Sequence, residues 1–272
     1  MRFSIWLLLT QMALFGVVLP ENAPFPGGVI VQEVIATQKP VVYHGKRQLM
    51  VLPTQEKNKY YVIAGIGLSQ KADTPYKLVI KEGDKEQYHT IYVEDKVYQK
   101  QYITIKNKRK VSPKKMDMKR INSESQRSRK ALALYTDQKF INLSMVKPVD
   151  VNISDDYGKR RYFNNKPRRP HSGVDMPAPV GTAIVAPLGG EIVEMGEFFF
   201  NGNVVFIDHG LGLVSMYCHM SKLDVKKGDR VLKGEKIGEV GMTGRVTGPH
   251  LHWGVSLNGA MVDPRLFFVN QK

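Results

Sequence analysis

Two histidines one residue apart, His250 and His252 in Thr243-Gly-Arg-Val-Thr-Gly-Pro-His-Leu-His-Trp253, are the first side chains whose type and spacing could do chemistry. If a strand runs from about Leu251, alternate side chains share a face, so both imidazoles project the same way from a rigid support. Such a pair invites a metal ion, although a lone His-x-His also fits a solvated strand. Three further groups change that balance: His171 and Asp175 in Pro170-His-Ser-Gly-Val-Asp-Met-Pro177, and His219 in the apolar run Leu213–Met220. A catalytic zinc takes three protein ligands and keeps a fourth position for water, a count that two imidazoles and one carboxylate meet. The metal would lower the pKa of that water toward about 7 and polarise a carbonyl. Histidines left over could serve as general base or stabilise a tetrahedral intermediate.

Spacing limits which groups can meet. His171 and Asp175 are four apart, a helical spacing, but Pro170, Gly173 and Pro177 rule a helix out, so the pair straddles a loop entering a strand. Residues 203–209 and Leu213–Met220 read as a hairpin around Gly210-Leu-Gly212. His209 lies beside that turn and His219 about seven residues beyond it, on the order of 20 Å away at strand rise, so they cannot share a site. His209 is therefore read as a turn residue. Strict alternation places Tyr217, His219 and Ser221 on one face and Met216, Cys218 and Met220 on the other. Cys218 would then point away from His219, leaving its thiol without a base and inert. It is the only cysteine, so no internal disulfide holds the fold. His44 and His89 stand isolated and are read as structural or solvated.

The elements that must position these groups are mostly strands. Val29–Ile35 and residues 48–52, 60–64, 76–80, 88–93 and 102–105 are β-branched or aromatic runs punctuated by Gly45, Gly65, Gly83 and Asp84. Their spacing predicts a small antiparallel sandwich with no catalytic constellation, over residues 24–113. Residues 116–135 read as a helix within a basic connector, 114–150, with much of its charge facing water. From 151 to 272 a second β-rich domain follows, with a sharp glycine turn in 181–193 and a compact winding of short strands in 225–241. That winding also occurs in biotinyl and lipoyl carrier domains, but the exposed lysine they modify is not found, so it speaks for fold alone.

The chain of 272 residues has a formal charge of +15, which favours an anionic partner: nucleic acid, anionic lipid or a cell-wall polymer. No zinc finger, basic zipper or aromatic single-strand RNA motif accompanies the charge, so nucleic acid is not expected. Arg2 followed by the mostly apolar residues 3–19 reads as a signal peptide, residues 1–23, too short for an ordinary spanning helix. Pro24 after Ala23 makes a poor cleavage site, so the segment is either removed or kept as a membrane tether. Export to the periplasm or cell envelope of a bacterium is the expectation.

Together, the stretch Arg161-Tyr-Phe-Asn-Asn-Lys-Pro-Arg-Arg-Pro-His-Ser-Gly-Val-Asp175, the Tyr217-Cys-His219 strand, the Gly228-Asp-x-Val-x-x-Gly234 winding and Thr247-Gly-Pro-His-Leu-His-Trp253 resemble the lysostaphin or LytM type of zinc endopeptidase. The resemblance covers roughly residues 151–268, with four motifs in the family's order. It implies a mainly β protein whose C-terminal antiparallel peptidase domain binds one Zn2+ per chain through His171, Asp175 and His252. It also implies that His219 and His250 are the two catalytic histidines, and that the substrate is the peptide cross-link of peptidoglycan. Which bond is cut, a glycine bridge or a D-alanyl to diamino acid link, stays open. The alternative is a non-catalytic, amidase-activating relative that has lost its metal residues; all five groups are present here. The N-terminal half resembles the β domain preceding the peptidase in some exported relatives, and it could cover the groove until activation.

Overall fold

A computed structural model describes residues 17–137, 142–154 and 156–268. The apolar segment near the N-terminus lies outside the described residues as far as residue 16. The protein is mainly β, with one long helix between two β-rich halves.

The N-terminal sandwich sets a three-stranded antiparallel sheet, in the order Val29–Ile35, Lys59–Gly65, Met50–Pro53, against Val41–His44, Pro75–Glu82 and Lys85–Tyr92. Period-two alternation gives the first sheet two apolar faces. Ile30, Val34, Val51, Val62 and Ala64 fill the sandwich, whereas Val29, Met50, Leu52 and Ile63 enter the core of the second half. The halves thus share a core. At the junction the backbones come so close that a Cβ on Gly65 would sit 2.6 Å from the Leu257 carbonyl oxygen.

Two elements differ from the sequence expectation. Val41–His44 is an additional strand. The strand expected at 102–105 occurs as Lys100–Ile103, and it does not join the sandwich: it pairs in parallel with Arg160–Phe163, tying the chain to the second half. A run of four residues carries too little pattern to name its partner.

The second half is built on a seven-stranded sheet. Its order is Val174–Pro177, His250–Leu257, Leu213–Met220, Gly202–Gly210, Gly190–Phe198 and Arg230–Val231, with Ala260–Val262 also paired to His250–Leu257. The main pairings are antiparallel. A small sheet of Ala183–Val185, Lys236–Glu239 and Lys222–Leu223 forms the compact winding. One face of the large sheet buries Tyr217, Met220, Leu251, Trp253 and Val255. The other buries Phe198, Val204, Phe206, Val214, Met216 and Cys218 together with Ala131 of the helix.

That helix, Met118–Leu132, turns Ile121, Glu124 and Ala131 inward. Its charges do not all face water. Arg127 forks onto Glu194 (3.0 and 2.6 Å), and Glu124 takes Arg120 at 2.6 Å and the Phe199 amide at 2.7 Å. The helix is fixed to the sheet face that carries the candidate site.

Candidate metal centre

Strand register brings the groups together. Asp175 pairs with His252, and His252 pairs with Cys218 on its other side. Residues directly opposite one another in an antiparallel pair share a face, so Asp175, His252 and Cys218 form a row, with His250 two residues along. His171 arrives from the loop before the Val174–Pro177 strand, pinned by its amide to the Lys159 carbonyl (2.9 Å) and by the Gly158 amide to its own carbonyl (2.7 Å). Gly173 is required there: a Cβ would lie 2.5 Å from the Trp253 carbonyl oxygen and 2.8 Å from the His252 ring.

Three donor atoms converge. His171 Nε2 and His252 Nδ1 are 2.9 Å apart, His252 Nδ1 and Asp175 Oδ1 2.9 Å, and His171 Nε2 and Asp175 Oδ1 3.2 Å. Tetrahedral zinc with N and O ligands at about 2.0–2.1 Å asks for ligand separations of roughly 3.3 Å, so the triangle needs only slight opening. The surroundings aim each atom. His171 Nδ1 faces the Asp156 carbonyl oxygen and carboxylate, both at 3.1 Å, so it carries a proton and turns Nε2 into the site. Arg161 donates to Asp175 Oδ2 (2.7 Å) and Asp156 Oδ2 (2.8 Å), leaving Oδ1 of Asp175 for the centre.

Electrostatics agree with a cation site. Two imidazole nitrogens and a carboxylate oxygen approach so closely only with a shared proton or a cation between them. Burial raises the Asp175 pKa, but hydrogen bonds from His171 and His252 outweigh it and hold the carboxyl well below the usual range. Burial likewise opposes protonation of His171, yet bonds to Asp156 and Asp175 prevail and raise its pKa. For His252 burial wins and lowers the pKa, which favours the neutral form a metal needs.

His219 and His250 flank the triangle. Their ring centroids are 4.9 Å apart, His219 is 6.1 Å from His252, and His250 Nε2 is 3.7 Å from Asp175 Oδ1. His219 Nδ1 bonds the Thr243 carbonyl oxygen (2.9 Å) and His250 Nδ1 the Gly248 carbonyl oxygen (2.8 Å). A carbonyl can only accept, so each Nδ1 carries the proton and each Nε2 is left as an acceptor. Burial, with His252 and His250 next to it, lowers the His219 pKa to about 3.

The alternation expected along Leu213–Met220 breaks at His219, whose φ is +68°. This irregularity puts His219 on the cavity side along with Cys218, and it turns Met220 into the opposite core beside Tyr217. Cys218 is therefore not on the far face; burial pushes its thiol pKa far up, which keeps it inert for a different reason. His209 also differs from a turn residue. It is fully buried, with Nδ1 on the Gly189 carbonyl oxygen (2.9 Å) and Nε2 on Ser215 Oγ (2.7 Å), at the hairpin end away from His219. His44 stacks on Tyr76 at 3.7 Å, a structural role.

A cavity of about 1230 Å³ opens from His171, His219 and His252 and continues past Phe163, Phe200 and Arg245, along the helix to the sandwich rim at Tyr43 and Gln48. Of the glycine- and threonine-rich loop at 241–248, Arg245 is the residue lining this cavity. Asp156, Arg161 and Arg245 were not singled out from the sequence. Each lies near the site only through folding, and nothing in a basic stretch marks which arginine turns inward.

Comparison with known proteins agrees with this geometry. Residues 169–264 match Peptidase family M23, and residues 22–96 match the Peptidase family M23 N-terminal domain. A crystal structure of a Pseudomonas aeruginosa protein described as peptidase M23 is 36% identical and superimposes with a TM-score of 0.75, covering 91% of this chain and 96% of that one. The peptidoglycan DD-endopeptidase ShyA of Vibrio cholerae is 40% identical over 119 residues, which is 43% of this chain and 28% of the relative. The DD-carboxypeptidase/endopeptidase Mpg of Neisseria meningitidis is 40% identical over 116 residues, 43% of this chain and 27% of the relative. The match thus spans little more than a quarter of each of these two curated relatives.

Proposed function

The chain belongs to peptidase family M23, and from that premise we propose that it is a zinc-dependent endopeptidase that hydrolyses amide bonds in the peptide cross-links of peptidoglycan. The observation that carries this reading is the triangle of His171 Nε2, His252 Nδ1 and Asp175 Oδ1 with two further imidazoles facing it. The names of the Vibrio and Neisseria relatives favour a D-alanyl to diamino acid bond over a glycine bridge.

In this reading His171, Asp175 and His252 hold the metal. When bound, it would polarise the scissile carbonyl and make water acidic enough to attack at neutral pH. The chain's own residues do the rest. Asp156 and Arg161 keep the ligand atoms aimed inward. His219, held neutral by burial with Nε2 unprotonated, takes the proton from the attacking water. His250, tethered at Gly248, presents Nε2 to the same space as a second acceptor that orients the water, and the proton taken up by His219 passes on to the leaving amine. Purified protein should release monomers from cross-linked muropeptides, a chelator should abolish this, and activity surviving in His252→Ala would sink the metal assignment. Because all five groups are present and converge, nothing favours the non-catalytic alternative.

We place the protein in the bacterial envelope on the apolar residues 3–19, with peptidoglycan as its anionic partner, and fractionation of a tagged chain tests this. The N-terminal segment acts as a tether if it is retained there. The sandwich and helix are read as a cover over the far end of the cavity, which Tyr43, Arg47, Gln48, Ser128 and Leu132 line. Arg127→Ala, which removes the fork onto Glu194, should raise turnover of intact sacculi; an unchanged rate would exclude that fork from holding the cover in place.

A further inference from the structure

The cavity beside the metal centre is lined by seven cationic side chains and one carboxylate, Glu124, which Arg120 and the Phe199 amide already occupy. Arg161 is also committed, to Asp156 and Asp175. Arg245 is not. Its guanidinium lies over the rings of Phe163 and Phe200, at 4.6 and 4.5 Å from their centroids. Both rings attract the cation, but an aromatic ring is only a weak acceptor, so the contacts leave the N–H donors without a strong partner. Among the described residues no carboxylate or carbonyl accepts from that edge. Arg168 lies near enough to repel it and is itself held by the carbonyl oxygens of Pro167 and Val111, without a carboxylate. The protein pays for this arrangement: burial, then Arg168 and Arg161, lower the Arg245 pKa to about 10.

Arg245 is also wired to the catalytic histidine. The Thr243 amide and carbonyl both meet His219, and two residues on the Arg245 amide donates to the Phe200 carbonyl oxygen (2.9 Å), next to Asn201, whose carbonyl takes the His219 amide (2.8 Å). One short loop therefore positions the base at one end and an unneutralised guanidinium at the other. Such a cation, held against two rings and partly desolvated, is the match for a carboxylate, which an arginine can bind through two parallel bonds.

We propose that Arg245, with Arg168 beside it, recognises a free carboxylate of the bound peptide and so selects which cross-linked peptides are cut. The proposal rests on the peptidoglycan endopeptidase reading and deepens it. Its cost to binding when removed is that of a charge-assisted hydrogen bond, about 10- to 100-fold.

The experiment uses the full chain loaded with zinc and a synthetic cross-linked stem-peptide dimer. The dimer is made with free carboxylates, with the terminal carboxyl amidated, and with the side-chain carboxyl amidated. The expected result is a kcat/KM about 10- to 100-fold higher for the free acid than for one of the two amides, which identifies the carboxylate that is read. In R245Q that ratio should fall to near one, and in R168Q it should fall severalfold. R245K, which keeps the charge and loses the fork, should fall between wild type and R245Q. Equal kcat/KM for free acid and both amides in the wild type overturns the proposal while leaving the hydrolase reading intact. A ratio unchanged in both R245Q and R168Q overturns it too. If the wild type cuts none of the peptides, the hydrolase reading fails; calorimetric binding that prefers the free acid, and loses that preference in R168Q or R245Q, would then still support carboxylate recognition.

Discussion

Zinc should stabilise the fold through three side chains and not through the two histidines beside them. The donor atoms of His171, Asp175 and His252 form a triangle with edges of 2.9 to 3.2 Å, joining a loop to two strands of the main sheet. An ion bound there and absent from the unfolded chain adds RT ln(1 + [Zn]/Kd), about 4 kcal/mol at a thousandfold excess over Kd. Unfolding entropy near 60 °C is about 2.1 cal/mol/K per residue, so a cooperative chain of 272 residues loses roughly 0.6 kcal/mol per degree. The expected rise in Tm is therefore about 7 °C. The assay is differential scanning fluorimetry with chelator and with zinc, read as the difference for each variant. In His171→Ala, Asp175→Ala and His252→Ala the rise should shrink to about a degree, whatever the starting Tm. In His219→Ala and His250→Ala it should persist, because their Nδ1 atoms are spent on the Thr243 and Gly248 carbonyls and neither ring is a corner of the triangle. A full shift in His252→Ala, or its loss in His219→Ala, would refute the assignment of ligands.

Other expectations follow from the same contacts. His219→Gln should lower kcat by about 10²–10⁴ while keeping the zinc-induced shift, since it removes a proton acceptor and no ligand. Gly173→Ala forces a methyl to within 2.8 Å of the His252 ring, so zinc affinity should fall about tenfold, read as a Tm shift smaller by 2–3 °C. Burial lowers the His209 pKa to about 4 against roughly 6.5 unfolded, so the unfolded chain binds the extra proton between those values. Its stabilising contribution is complete above pH 6.5 and is lost as pH falls toward 4, about 3 kcal/mol in all; urea unfolding at pH 7, 5.5 and 4 should show that loss, and His209→Gln should flatten it. Cys218, buried and with its thiol pKa far up, should stay unmodified by a maleimide in the native protein and react once unfolded; native labelling at a rate near that of a free thiol would contradict its burial.

What the sequence made legible were features with a local period. His250 and His252 share a face because a strand alternates, and Asp175 enters a strand because Gly173 and Pro177 exclude a helix. The sandwich, the connecting helix and the short-strand winding were legible for the same reason. Illegible were the long-range pairings. Nothing local marks Lys100–Ile103 as the parallel partner of Arg160–Phe163, a pairing that places Arg161 over Asp175 and Asp156. Arg245 is one of 40 lysines and arginines, and only the approach of Phe163 and Phe200 from two other segments distinguishes it.

The clearest failure of local reasoning falls on a candidate catalytic residue, and the geometry explains why. Register places Cys218, not His219, directly opposite His252, so a regular strand would send His219 to the buried face with Tyr217. The site needs an imidazole beyond the ligand row, where a side chain can reach past His252 toward His250. The chain meets that need by holding His219 at φ +68°, a conformation costing a non-glycine residue roughly 1–2 kcal/mol. Bonds from its amide to the Asn201 carbonyl and from its ring to the Thr243 carbonyl offset that cost. The same two contacts draw in the Phe200–Asn201 turn and the 243–245 loop, which is how Arg245 comes to stand beside the histidine. The irregularity that hides His219 from an alternation argument is thus what brings this imidazole and the neighbouring cation together in one place.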